Sequence, residues 1–218
     1  MVSAVITAAG KNSRMIESQI NNDIKVQNKL TLPFKNKTVI ESTIENVLSS
    51  NVDSCILVLG HFSNEIRKCL SNFSKDQLKI IENNPVDVGL STSLLHGLQN
   101  SSSDLTLCVS GDQPTISSKT FNNLIENSLN SNNSLKTISV LRRINIGLLD
   151  CAEGLGMPFV GPRENLIKNI KGFNDNLNPI LRKMHSDGYT FYAIKEENDL
   201  ELLNINTYED YQYLLNRI

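Results

Sequence analysis

The chain has 218 residues, 39% of them hydrophobic and 20% charged, with a formal net charge of -2. That length suits one large domain or two small ones, and it buries about 70% of the unfolded surface, enough to need no disulfide or metal staple. The near-neutral charge excludes general nucleic-acid binding, which asks for a basic excess. No apolar run nears the roughly 20 residues of a membrane span, and the start lacks the order of a signal peptide. Cys55, Cys69, Cys108 and Cys151 show no CxxC spacing. Two of them sit in apolar runs, as reduced core thiols do, so the expected location is cytoplasmic.

Taken in chain order, the sequence begins with VSAVITA at 2–8, a β-branched apolar run that reads as a buried parallel strand. The stretch 15–28 is expected to be an inserted loop. Val39, Ile40, Ile44, Val47 and Leu48 form a helical stripe, and Thr38 with Glu41 makes a capping box at its start. CILVLG at 55–60 is a second strand, 63–73 a helix, and LKII at 78–81 a third strand. Residues 83–89 are a turn-rich loop, followed by a helix over 91–100 with Ser91 as its N-cap. LTLCVSGD at 105–112 is a strand ending in Gly-Asp, 119–129 a helix and 136–141 a strand. From 142 to 178 glycine and proline break the rhythm, and an acceptor-side lobe is expected there. A helix at 178–186, strands at 189–194 and 200–205, and a helix from 208 complete the chain. Alternating strands and helices point to βαβ units: an α/β, Rossmann-like, three-layer fold with a mostly parallel sheet and helices on both faces. With no repeat or linker-like boundary, residues 1–218 read as a single domain.

Ligands of such sheets bind beyond the carboxyl ends of the strands, and four strand-following loops carry suitable groups. Ala8-Ala9-Gly10 lets backbone approach a phosphate, with Lys11 and Arg14 adding charge. An ordinary surface turn with two solvated cations would use the same residues. Lys29 sits in NKLTLPF, where a solvated side chain is the plainer reading. Asn84, Gly89, Ser91 and Ser93 bring hydrogen-bonding groups to a helix start, suited to an anion or a base edge, or to simple capping. Asp112 follows a buried strand, where one carboxylate plus substrate phosphates suits Mg²⁺; a Gly-Asp turn is the alternative.

Together and in this order, TAAGKNSRM, NKLTLPFKNKTVIESTIENV, VLGH, NPVDVGLSTSLLHGL, SGDQP and NINTYEDY resemble the MobA/MocA-like nucleotidyltransferases, the group that includes the molybdenum-cofactor cytidylyltransferases. The resemblance implies transfer of a nucleoside monophosphate from an NTP onto a phosphorylated small molecule such as molybdopterin, with release of pyrophosphate. It implies Arg14 and Lys29 as catalytic cations on the triphosphate. Ala8, Ala9, Gly10, Asn84, Gly89, Ser91 and Ser93 would hold the nucleotide, and Asp112 and Asn206 the Mg²⁺. An alanine at position 9, where guanylyl members tend to have glycine, favours CTP over GTP. The expected partners are the phosphorylated acceptor and a second copy of the chain, with neither nucleic acid nor membrane.

Three departures stand out. Residues 15–28 separate Arg14 from Lys29, which lie closer together in relatives. The family's Gly-His-Pro reads Gly156-Met157-Pro158, and its late Asp-x-Asp-Thr reads Asn204-Ile205-Asn206-Thr207. Asparagine keeps an oxygen ligand but loses the charge. Thr207 with Asp210 reads equally as the N-cap of the last helix. A nucleotide-holding regulator or chaperone of the same fold, and a phosphosugar nucleotidyltransferase, are the alternatives.

Overall fold

The computed structural model describes residues 1–173 and 176–218; positions 174 and 175 of the expected acceptor-side lobe lie outside the described residues. The chain runs β1 (Val2–Ala8), α1 (Ser13–Asn21), the hairpin β2 (Pro33–Phe34) and β3 (Lys37–Thr38), α2 (Val39–Leu48), β4 (Ser54–Leu59), α3 (Ser63–Lys68), β5 (Leu78–Glu82), α4 (Leu90–Gln99), β6 (Leu105–Ser110), α5 (Ser118–Leu129), β7 (Thr137–Leu141), β8 (Gly147–Leu148), β9 (Phe159–Pro162), α6 (Arg163–Ile170), α7 (Leu177–Ser186), β10 (Thr190–Ile194) and α8 (Tyr208–Leu215).

Eight strands form one sheet in the order β5-β4-β1-β6-β9-β7-β10-β8. β1 pairs in parallel with both β4 and β6. β9 runs antiparallel between β6 and β7, so those two strands point the same way. The carboxyl ends of β1, β4, β6 and β7 therefore share one edge. Strand order reverses between β1 and β6, which opens a crevice there.

β1 is buried along its whole length because both faces are covered, which is why its sequence is apolar without alternation. Its even residues pack with α2, α5 and α8 in one layer. Val5 packs with α4, α6 and α7 in the other. The result is the expected three-layer arrangement.

The α2 capping box forms as read, with the Thr38 amide donating to Glu41 Oε2 at 2.8 Å. Several expectations need correction. The first half of the stretch 15–28, through Asn21, is α1, a helix that no side-chain cap announces, and only the second half is loop. The helix after β4 stops at Lys68. α4 begins at Leu90 with extended Gly89 as its N-cap, so Ser91 lies inside the first turn rather than capping it. Residues 199–202 form a 3₁₀ turn, not a strand. There Glu201 is fully buried and accepts from the Ser117 and Glu197 amides at 3.0 and 3.1 Å, contacts that an extended strand would pull apart.

Candidate active site

The crevice at the strand reversal is a cleft of about 350 Å³. One wall is the turn that leaves β1: Ala8, Ala9, Gly10 and Lys11, then the first turn of α1. Asn12 enters α1 in the left-handed region, at φ 62°, and makes no side-chain cap. Its amide instead donates to the Gln27 carbonyl at 3.1 Å and accepts from the Lys29 amide at 3.3 Å. This clamp returns the chain to the glycine turn after the excursion through α1. Asn28 Oδ1 then accepts from the Leu30 amide at 2.8 Å, fixing a 3₁₀ turn at Lys29–Thr31.

Lys29 Nζ donates to Asp112 Oδ2 in a largely buried ion pair. Asp112 is held close to β1 by its backbone. The Gly111 amide donates to the Thr7 carbonyl at 2.9 Å, and the Ile205 amide to the Asp112 carbonyl at 3.1 Å. Glycine makes this approach without displacing a neighbour, since a Cβ at 111 would stand 2.9 Å from Ile40 Cδ1 and 3.3 Å from the Thr7 carbonyl oxygen. The second carboxylate oxygen, Oδ1, is buried and has no hydrogen-bond partner among the described residues. A bare buried carboxylate oxygen is costly unless something else satisfies it.

Of the residues singled out in the sequence, Ala8, Ala9, Gly10, Arg14, Lys29, Ser93, Asp112 and Asn206 line this cleft. Asn84, Gly89 and Ser91 do not; Val88, Leu90 and Ser93 represent that segment. Ser91 is fully buried in α4. Arg14 is exposed on the first turn of α1 and has no ion pair among the described residues. Lys11 reaches across the mouth to Asp87, 2.8 Å from Oδ1, and the ammonium holds the Asp87 carboxyl below its usual range. Ala9 turns its Cβ toward Gly60, whose own Cβ would lie 2.8 Å from it.

Some of the groups that shape the cleft carry no signal of their own in the sequence. Buried Asn83 donates to Ser93 Oγ at 2.9 Å and bonds His96 Nδ1 at 2.9 Å, setting the serine that lines the wall. Gln113 donates to the Met157 carbonyl at 3.0 Å and to Asn204 Oδ1 at 3.1 Å, linking two of the three departures from the family pattern to the loop carrying Asp112. Met157 is buried, and its sulfur accepts from Thr7 Oγ1 at 3.8 Å. The Thr207–Asp210 capping box starts α8 as read.

The pattern of the MobA-like NTP transferase domain matches residues 4–146. The chain belongs to that family. Over nearly its whole length it is also similar to a nucleotidyl transferase from Methanothermobacter thermautotroptrophicus, with 38% identity, a TM-score of 0.91, and coverage of 99% of this chain and 96% of that one. The bifunctional protein GlmU of Lactobacillus gasseri is 32% identical over 136 residues, which are 62% of this chain and 27% of that protein. The chain thus spans about a quarter of the length of the curated relatives it matches. The 4-diphosphocytidyl-2C-methyl-D-erythritol synthase of Anaerococcus prevotii shares the fold, with 17% identity, a TM-score of 0.69, and coverage of 99% and 95%. The matched 4–146 region contains every cleft-lining residue of this MobA-like domain except Asn206.

Proposed function

We propose that this chain is a nucleotidyltransferase that moves a nucleoside monophosphate from an NTP, CTP in preference to GTP, onto a phosphorylated small molecule and releases pyrophosphate. Molybdopterin is the first acceptor to try. The observation that carries this reading is the Asp112 carboxylate, one oxygen held by Lys29 and the other buried and unpartnered among the described residues, beside an open glycine turn.

In such a transfer an oxygen of the acceptor phosphate forms a bond to the α-phosphorus. The bond from that phosphorus to the bridging oxygen breaks, and pyrophosphate leaves with the electron pair. Little is asked of the protein beyond alignment and charge neutralisation. Gly10 lines the cleft and leaves its turn uncrowded: a Cβ there would meet nothing within 4 Å among the described residues. The first turn of α1 has no acidic residue, so its amides and positive dipole end favour phosphate. Arg14 and Lys29 offset charge on the triphosphate and on the leaving pyrophosphate.

The residues present fit a divalent cation such as Mg²⁺, which takes few protein ligands and shares substrate oxygens. Asp112 Oδ1 and the Asn206 carboxamide would hold it. When bound, the cation neutralises phosphate charge and polarises the α-phosphate. Among the described residues no group of three or more His, Cys, Asp or Glu side chains is placed to hold a metal. The site therefore depends on substrate oxygens to complete it.

Incubation with each NTP, Mg²⁺ and a panel of phosphorylated acceptors, with pyrophosphate assayed, tests the proposal. Release that requires both CTP and an acceptor supports it, and silence across the panel overturns it. Asn206, in place of an acid, favours a second reading, a nucleotide-holding regulator. Tight NTP binding indifferent to Mg²⁺ would select that one.

A further inference from the structure

Two adjacent arginines follow β7, and the structure treats them differently. Arg142 is neutralised: its guanidinium pairs with the buried Glu196 and lies 3.8 Å from Asp199. Arg143 has no carboxylate partner among the described residues. Its Nη2 donates to the Met157 carbonyl at 3.1 Å and its Nη1 lies 3.5 Å from the Leu202 carbonyl. The guanidinium is only partly exposed. Carbonyl oxygens orient a guanidinium without cancelling its charge. A desolvated cation left in that state favours an anion that reaches it.

The position of Arg143 says which anion. β7 and β6 point the same way, so Arg143 and Asp112 leave the sheet at the same edge. The carbonyl of Met157 accepts from both Arg143 and Gln113, the neighbour of Asp112. The sulfur of Met157 is bonded by Thr7, which lines the cleft. Arg143 is thus two hydrogen bonds from the cleft wall on the β6–β7 side. The loop carrying Val88 and Leu90 follows β5, at the other end of that edge. A nucleotide seated between that loop and the glycine turn leaves the β7 side to the acceptor. With Arg14 and Lys29 assigned to the NTP anions, Arg143 is the further guanidinium at this edge of the sheet without a carboxylate partner among the described residues, and it is left for the other reactant.

We propose that Arg143 binds the phosphate of the acceptor, in a second anion subsite on the β7 side of the cleft. Its fork presents the planar donors that suit a phosphate monoester. Held there, one phosphate oxygen is free to attack the α-phosphorus while the others stay on Arg143. The subsite rests on the nucleotidyltransferase reading above, and the following titration separates the two.

The whole chain is saturated with Mg²⁺ and α,β-methylene-CTP, which cannot transfer, and titrated with glycerol 1-phosphate by calorimetry. Wild type is expected to bind the phosphate ester. Arg143→Gln should weaken that binding at least tenfold while changing affinity for the CTP analogue less than twofold. Arg143→Lys should recover part of the loss. In wild type, the Arg143 Nε–H resonance should shift on addition of glycerol 1-phosphate, a readout that needs no variant to fold. Binding unaffected by Arg143→Gln, or no binding and no shift in a complex that does hold the analogue, overturns the subsite. Failure to bind the analogue overturns the nucleotidyltransferase reading instead. The same titration on the nucleotide-free chain then still tests Arg143.

Discussion

α4 lies across β1 and β4 so closely that a Cβ at Gly97 would stand 2.2 Å from Val5 Cγ1 and 3.0 Å from Val58 Cγ2. Both valines are fully buried on adjacent central strands. Their branched side chains have few alternative rotamers. Gly97→Ala therefore sets an overpacking cost of about 1–3 kcal/mol against a gain of about 1 kcal/mol in helix propensity. A 2.2 Å contact with a core valine places the cost near the top of its range, so the net is a loss of about 1–2 kcal/mol. At about 2–4 °C per kcal/mol for a chain of this size, Tm should fall by roughly 2–8 °C. Gly10→Ala is the counterpart, because a Cβ there meets nothing within 4 Å. It should leave Tm within about a degree or two, since exposed substitutions away from special features are worth at most ~0.5 kcal/mol, and yet weaken binding of a fluorescent CTP analogue. Thermal unfolding followed by circular dichroism, with the binding titration alongside, reads both. A rise in Tm for Gly97→Ala, or an equal fall for Gly10→Ala, would refute the reasoning.

Glu209 is held down to about 2, chiefly by the Ser18 hydroxyl, which ties α8 to α1. A lowered carboxyl stabilises the fold above its ordinary value and loses that contribution as pH falls toward the folded one. Glu209→Gln should therefore be less stable than wild type at neutral pH, with the gap closing between about 4.5 and about 2; a gap constant across that window in acid titrations of Tm would count against the contact. Burial pushes the Cys55 thiol up to about 12 and raises Cys108 further, while Cys151 is exposed. Iodoacetamide at pH 8 should label Cys151 in the native chain and reach Cys55 and Cys108 only after unfolding, as peptide mass mapping would show. Asn206→Asp adds a second carboxylate to the cleft beside Asp112 and should tighten Mn²⁺ binding by about tenfold or more, measured by electron paramagnetic resonance.

What was legible in the sequence is what local pattern controls. β1 was plain because a strand covered on both faces must be apolar throughout, and α2 because its capping box is written in two residues three apart. The glycine turn and Asp112 were found because both follow such strands directly. α1 was missed because its cap, left-handed Asn12, spends its side chain on residues 27 and 29. Residues 200–205 read as a strand because the stretch is short and rich in leucine, but Glu201 faces inward to partners far away in the chain. Arg143 and Asn83 carry no such signal: their partners come from Met157 ahead of β9, from the 199–202 turn and from α4, which sequence alone does not bring to them.

The most direct test is a crystal of the chain soaked with α,β-methylene-CTP and Mn²⁺ and examined for anomalous scattering. The triphosphate should lie between the turn at Gly10 and the ammonium of Lys29, with a manganese peak against Asp112 Oδ1. A nucleotide bound away from that turn, or a metal with no contact to Asp112, would contradict the account.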